Sequence, residues 1–492
     1  MKITNSSIFA SRRRLCFLLL AVLCLCVVIS YLSTGDSSLY EQATIQFISA
    51  SQKIYDHVAE QTASIVGKPH KSLHPFDTSD KYGFFFATLG LMIAAGGGIG
   101  GGGVLVPIYI LVMGFSPKNA IPLSNVTIFG GAIANTLLNW TKRHPYADRP
   151  LVDWNLILVM EPMTIAGALI GSFLNKVLNE EVLVVMLVLL LSCTAYTTLK
   201  KAIKMYKKET VAMIQEKMEK DPETKGLLQK MGDGSAQEHV EQTDVDEVVL
   251  DEKDVVDLKN ILEQERNVPL NNVKALVIMF VVVLIVNVLK GGGGFPSPLG
   301  IQCGSTSFWV ANAIMLGWVA TVSIFARSHL INKCKDKARV KYAYVEGDIE
   351  WDERATVVYP GICMFAGFFA GMFGVGGGIV KGPLMLAMGV HPSVAAATSA
   401  CMILFTSFTA TTSFMVFGLL IPDYAMVCVV VGFAATWIGQ ILLGKLMAKF
   451  QRNSYIAFSI GGIVLMSVIL MTAQSLVSIA EGHHSKTEGV CG

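Results

Sequence analysis

Residues 96–107 read GGGIGGGGVLVP and residues 374–383 read GVGGGIVKGP, and each stretch interrupts a long apolar run. In both copies a Gly-x-x-Pro turn follows, and then a helix start with small or polar side chains. The matched positions are Gly98 with Gly374, Gly100 with Gly376, Gly101 with Gly377, Gly102 with Gly378, Pro107 with Pro383, the turn 114–117 with 389–392, and Leu-Ser-Asn at 123–125 with Thr-Ser-Ala at 398–400. The chain therefore carries one unit twice.

The composition is that of a membrane protein, because 52% of the 492 residues are hydrophobic and only 15% are charged. A net charge of +2 gives no overall attraction to nucleic acid. We therefore predict an all-α polytopic membrane protein with two homologous helical repeats, each opening with a glycine-broken helix. The predicted units are a signal peptide or signal anchor at 1–34, a non-cytosolic polar segment at 35–81, repeat 1 at 82–199, a charged cytosolic loop at 200–271, two connecting transmembrane helices at 272–326, a charged cytosolic loop at 327–356, repeat 2 at 357–477 and a polar tail at 478–492.

Positive charge indicates how the broken segments run, because basic residues favour the cytosolic side of a membrane. Basic clusters lie at 142–149, 200–208, 327–341 and 445–452, and three arginines stand at 12–14. If each broken segment is a re-entrant hairpin, all of these groups lie in the cytosol. If each broken segment crosses completely, the last cluster and the N-terminus fall on the wrong side. The pattern favours an inverted repeat, whose two hairpin tips meet near the midplane, over parallel repeats.

Glycine inside a membrane helix frees backbone groups that hydrocarbon does not satisfy, so a doubled break indicates an interior binding site. The N–H groups at the start of a short half-helix attract anions. The alternative role of such glycines is close helix packing. Neutral donors follow each break, and they either bind the solute or bond a neighbouring helix. The predicted site residues of this kind are Gly100, Gly101, Gly102, Ser124, Asn125, Gly376, Gly377, Gly378, Thr398 and Ser399.

Two charged residues stand inside apolar segments. Lys381 lies three residues after the second glycine cluster, where the first copy has Leu105. It either contacts the anion or extends its side chain to an interface. Glu161 precedes Pro162 without a basic residue within a helical turn, so it is protonated, paired with a distant group or facing water. It either carries a coupling proton or, as a neutral acid, supports the Pro162 kink.

The sequence contains no set of residues typical of an enzyme or of a metal or cofactor site. Neither glycine stretch continues into the Gly-Lys-Ser/Thr of a phosphate loop, so ATP hydrolysis is unsupported. Several of the ten cysteines lie in apolar segments without metal-ligand spacing. We predict no catalytic residues, no metal and no cofactor.

The doubled pattern Gly-φ-Gly-Gly-Gly-φ-φ-φ-x-Pro, where φ is apolar, resembles the TauE/SafE family of sulfite exporters over residues 82–200 and 357–477. Further features resemble the eukaryotic branch of that family. They are Glu161-Pro162 followed by Gly167 and Gly171, the stretch from Lys290-Gly291-Gly292 through Cys303-Gly304-Ser305 to Trp309, and the long charged loop between the repeats. The resemblance implies a multi-pass carrier of sulfite or small organosulfur anions such as sulfoacetate, without ATP.

We therefore predict a secondary transporter that works by alternating access around a site at the membrane midplane. The alternatives are a membrane adaptor that keeps the transporter fold and acts through its loops, and a passive anion channel. The expected partners are a small anionic solute and the lipid bilayer, with protein partners at the cytosolic loops as a further option. The sequence leaves the oligomeric state open, as well as the choice between endomembranes and the plasma membrane.

Overall fold

The computed structural model of the protein describes residues 77–95, 101–220, 252–345, 347–349 and 351–450, together with Leu73 and several residues between 458 and 472. The predicted signal segment, nearly all of the polar segment that follows it, and the C-terminal tail lie outside the described residues. Gly100 and the rest of 96–100 also lie outside them.

The described residues form helices, as the apolar segments predict. Eight of these helices are long and apolar enough to cross a membrane. The helices are α1 (Thr78–Ala95), α2 (Gly102–Leu111), α3 (Pro117–Trp140), α4 (Trp154–Val177), α5 (Glu180–Lys220), α6 (Glu252–Arg266), α7 (Leu270–Lys290), α8 (Thr306–Arg339), α9 (Ala355–Phe373), α10 (Gly378–Ala387), α11 (Pro392–Val416) and α12 (Pro422–Phe450). The all-helical membrane fold is confirmed.

The first broken segment forms an antiparallel hairpin of α1 and α2. Gly83, near the start of α1, lies against Met113, just beyond the end of α2, so closely that a Cβ on Gly83 would be 2.1 Å from the Met113 Cγ. Further along, a Cβ on Gly90 would be 2.8 Å from Val104 Cγ1. Because α2 is only 10 residues long, it returns about half as far as a full crossing.

The second broken segment, α9 and α10, also turns back. Trp351, which precedes α9, and Val390, which follows α10, line one cavity. Gly347 lies beside His391, with a virtual Cβ 2.9 Å from the His391 nitrogen. Both ends of this hairpin therefore lie at the same end of the helix bundle.

The two hairpins start at opposite ends of the bundle. At the start of α1, buried Asp80 accepts a hydrogen bond of 2.9 Å from the hydroxyl of Tyr424, at the start of α12. At the other end, the ring of His391 lies 6.2 Å from that of His144, in the loop between α3 and α4. We name this second end the basic end, since it holds the clusters at 142–149 and 327–341. Among the described residues, the first hairpin therefore begins at the end opposite the basic end, and the second hairpin begins at the basic end.

The repeats pack on each other through glycines. On α4, Gly167 faces the Met364 carbonyl and Gly171 faces the Phe368 carbonyl of α9, with virtual Cβ distances of 2.0 and 2.1 Å. In return, Gly367 of α9 faces the Thr164 carbonyl, at 1.9 Å. Small residues let membrane helices approach to backbone contact, and this crossing joins repeat 1 to repeat 2 directly.

Part of the charged segment between the repeats is docked helix. Glu265 near the end of α6 accepts from Lys337 Nζ at 2.6 Å and from the Tyr342 hydroxyl at 2.7 Å. Arg339 bonds Asp257 at 2.6 Å. Burial alone would raise the pKa of Glu265, but the Lys337 cation and these hydrogen bonds hold it below its usual value. Residues 252–266 therefore belong to the folded body at its basic end.

Candidate functional site

The two glycine tips meet inside the protein. A Cβ on Gly102, the first residue of α2, would lie 2.4 Å from the Val375 Cα and 2.6 Å from the Gly374 carbonyl oxygen. The Gly374 carbonyl also accepts a hydrogen bond of 2.8 Å from the Ser124 hydroxyl of α3. The first tip and the helix that follows it are therefore in direct contact with the second tip.

The backbone at the tips requires glycine. Gly101 precedes α2 with φ 74°, and Gly377 precedes α10 with φ 66°. Gly374 and Gly376 have φ 68° and 76°. Side chains other than glycine rarely adopt this left-handed region. The first N–H groups of α2 and α10 lack acceptors within their own helices, so the two short helices direct partial positive charge to the centre of the bundle.

Lys381, Glu161 and Thr406 form a closed cluster beside the second tip. Lys381 Nζ donates to Glu161 Oε2 at 3.0 Å and to Thr406 Oγ1 at 2.7 Å, and Thr406 Oγ1 lies 2.6 Å from Glu161 Oε1. The side chains of Lys381 and Glu161 are completely buried. The lysine stem passes over the tip, with its Cε 3.5 Å from a virtual Cβ on Gly377.

This cluster is electrically balanced as long as Glu161 is ionised. Burying either charge alone costs several kcal/mol, roughly, and the pair offsets that cost only through close contact and full hydrogen bonding. The partner of Lys381 is thus an acid 220 residues away in the other repeat. In the first hairpin, the corresponding position is the buried and apolar Leu105. The charge pair exists on one side of an otherwise duplicated arrangement.

Comparison with known sequences assigns the fold to a family. The chain matches the sequence profile described as Sulfite exporter TauE/SafE over residues 83–326 and 271–466. It is 28% identical over 401 residues to "Sulfite exporter TauE/SafE family protein 3" of Arabidopsis thaliana, covering 81% of this chain and 78% of that protein. It is 26% identical over 385 residues to "Sulfite exporter TauE/SafE family protein 5" of the same plant, covering 78% and 80%.

The chain belongs to the sulfite exporter TauE/SafE family. Membership confirms the resemblance carried by the doubled glycine pattern, and it makes the protein a multi-pass membrane transporter rather than an enzyme. No solved structure matches the chain.

Within this TauE/SafE protein, the other predicted site residues have different surroundings. Thr398 Oγ1 accepts a hydrogen bond of 3.0 Å from the backbone N–H of Asp153, so it ties α11 to the start of α4. Ser399 Oγ is buried without a hydrogen-bond partner among the described residues, and so is Asn125 Oδ1. The Gly378 N–H donates to the Gly376 carbonyl at 2.8 Å, and it is therefore already engaged.

Sequence reasoning missed two residues whose side chains make hydrogen bonds in this region. Thr406 is one of many hydroxyl residues on α11, and nothing in the sequence distinguishes it from its neighbours. Gln440 of α12 donates to the Ala95 carbonyl at 3.0 Å and to Asn135 Oδ1 at 2.9 Å, and it thereby satisfies one carbonyl at the end of α1. Both interactions join residues far apart in the chain, so only the fold reveals them.

Among the described residues, the space beside the first tip is small. A cavity beside the first tip, between Ala95, Asn135, Ala400 and Thr436, has a volume of only about 10 Å³. That volume is near the lower limit for one water molecule. An oxyanion is larger, so this cavity is too small to hold one in the conformation described.

Proposed function

We propose that this TauE/SafE protein is a secondary transporter of sulfite or related small sulfur oxyanions. Lys381 contacts the anion and Glu161 carries a coupling proton. The single observation that carries the proposal is the buried Lys381–Glu161–Thr406 cluster beside the N-terminus of α10. The names of the relatives and of the matched family support sulfite as the substrate.

The cluster suggests how proton binding and anion binding are coupled. When Glu161 is ionised, its carboxylate pairs with the Lys381 ammonium, and the net charge of the site is zero. Protonation of Glu161 leaves Lys381 unbalanced beside the positive end of α10, so an anion becomes the favoured counter-charge. Proton and anion then bind together at a low cost in charge burial. Loss of the proton restores the ion pair and expels the anion.

The contact between the tips supports alternating access. Gly102 touches Val375 across the two repeats, and in our proposal this contact closes the route through the centre. We place the basic end in the cytosol and treat both hairpins as re-entrant. Rocking of one repeat against the other then opens the site to one face at a time. A passive channel would need an open route through the centre. An adaptor would act through its loops, so its activity would not depend on the tips.

Flux through reconstituted vesicles tests the function. In Gly102→Ala the new methyl group meets the Val375 backbone, so sulfite flux should fall at least about tenfold, because backbone groups do not move aside cheaply. Gly382→Ala is the matched control, since it adds a methyl group on α10 where nothing lies within 4 Å. Full flux in Gly102→Ala, or no saturable sulfite flux in the parent protein, would contradict the proposal.

The coupling proton has its own test. Glu161→Gln keeps the shape of the side chain but removes its charge and its proton exchange. We expect sulfite flux in this variant to lose its dependence on a pH gradient, whereas the parent protein keeps it. If pH-dependent flux is unchanged in Glu161→Gln, Glu161 does not carry the proton, and its role is structural support of the helix at Pro162.

A further inference from the structure

A larger cavity lies at the basic end, separate from the glycine tips. Its volume is about 90 Å³, enough for several water molecules or a small oxyanion. The start of α4, the end of α8 and the turn between α10 and α11 surround it, and the last residues of α6 close one side. Both repeats and the docked segment between them therefore contribute to its wall.

Two of the three lysine and arginine side chains in this wall form direct ion pairs. Arg149 bonds Asp348. Lys337 bonds Glu265 at 2.6 Å.

The third carboxylate of the wall, Asp153, accepts from the N–H groups of Asn155 and Leu156 at 2.9 and 3.1 Å, and so caps α4. All three carboxylates of the wall are thus engaged by other groups.

Lys333 is the exception. Its Nζ reaches the Asn155 Oδ1 at 3.4 Å, and among the described residues no carboxylate oxygen lies within 4.0 Å of it. The side chain is partly buried and lines the cavity. The Glu265 and Asp153 carboxylates attract this ammonium from beyond 4.0 Å. Because neither carboxylate contacts it directly, a small oxyanion in the adjacent space can serve as its direct counter-charge.

The cavity leads towards the tips. Val394 of α11 lines it, and Thr398 follows one turn deeper on the same helix. Thr398 Oγ1 holds the backbone N–H of Asp153, which also lines the cavity. This hydrogen bond joins the two repeats beside the cavity, so a separation of the repeats there would break it and extend the cavity inwards.

We propose that this cavity is a vestibular anion subsite on the transport route, with Lys333 as the residue that contacts a small oxyanion entering from the basic end. This inference rests on the proposed transport function and deepens it. The subsite concentrates the anion before the central site opens, so its loss should change the apparent affinity from one face only.

Sided flux measurements test the subsite in the full-length protein. In Lys333→Gln, the KM for sulfite presented at the basic end should rise about fivefold, the upper range for one partly exposed charge contact. The KM at the opposite face and the maximal rate should stay as in the parent protein. Lys333→Arg should restore the affinity. Lys335→Gln, an exposed lysine two residues away, is the matched control and should leave both KM values unchanged.

The outcomes separate the subsite from the transport function. Lys333→Met serves as a second neutral variant if Lys333→Gln does not fold. Saturable flux in the parent protein, with the KM unchanged or changed equally at both faces in the neutral variants, overturns the subsite alone. If the parent protein carries no flux, the transport function fails. The subsite is then judged by the sulfite concentration that half-maximally raises the Tm, and equal values for Lys333→Gln and Lys335→Gln overturn it.

Discussion

At the scale of single residues, one completely buried ion pair joins the two repeats. Lys381 and Glu161 are completely buried, and Thr406 bonds both of them. Leu105 occupies the matching position of the first hairpin, so the lysine is present in only one of the two copies. The proton coupling that we propose would therefore act in one half of the duplicated fold.

The ion pair should be visible in stability measurements. Lys381→Met leaves the Glu161 carboxylate buried without its cation, so we expect a loss of about 3–5 kcal/mol in the free energy of unfolding. The double variant Lys381→Met, Glu161→Met removes both charges and should recover most of that loss, but not the sulfite flux. Thermal unfolding in detergent measures the effect. Equal stability of the single variant and the parent protein would count against a tightly coupled pair.

The sequence identified both charged members of this cluster but not their pairing. An ionisable residue in an apolar segment stands out in any sequence, and this is why Lys381 and Glu161 were predicted as functional. Their contact depends on the crossing of helices from different repeats. Thr406 carries no such signal, because a buried threonine bonded to its own helix is ordinary.

At the scale of helices, glycine decides both where helices break and where they touch. The breaks at the tips were predictable, since runs of glycine in apolar segments are rare and conspicuous. The partner carbonyls of Gly167 and Gly171 were not, because spacing along one helix does not specify the helix it packs on. The docking of α6 was also hidden, since its charged sequence is equally typical of a solvated linker.

The crossing of α4 and α9 gives a prediction with a control on the same helix. In Gly367→Ala a methyl group would lie 1.9 Å from the Thr164 carbonyl oxygen, so the two backbones must separate. We expect a loss of about 2 kcal/mol or more in the free energy of unfolding. At Gly361, also on α9, nothing lies within 4 Å, and alanine there should be neutral or slightly stabilising. A tolerated Gly367→Ala would mean that this crossing is looser than the structure shows.

At the scale of the whole molecule, two independent features distinguish the two ends of the helix bundle. The basic clusters lie at one end, which is typical of a cytosolic face. Cys303 is disulfide-bonded and lies between α7 and α8, whose connection is at the other end. Disulfides persist in oxidising compartments. Both features favour the same orientation, with the first hairpin entering from the non-cytosolic face.

Labelling of single introduced cysteines with a membrane-impermeant maleimide tests this orientation and the hairpins together. Thr78 and Ser116 flank the first hairpin, whereas Ala343 and Ser393 lie at the basic end beside the second. Cysteine at 78 and 116 should react only from the non-cytosolic face, and cysteine at 343 and 393 only from the cytosol, after subtraction of the labelling of native cysteines. Reaction of the cysteines at 78 and 116 from opposite faces would show that α1 and α2 together cross the bilayer. The two repeats would then run parallel, and the inverted arrangement would have to be abandoned.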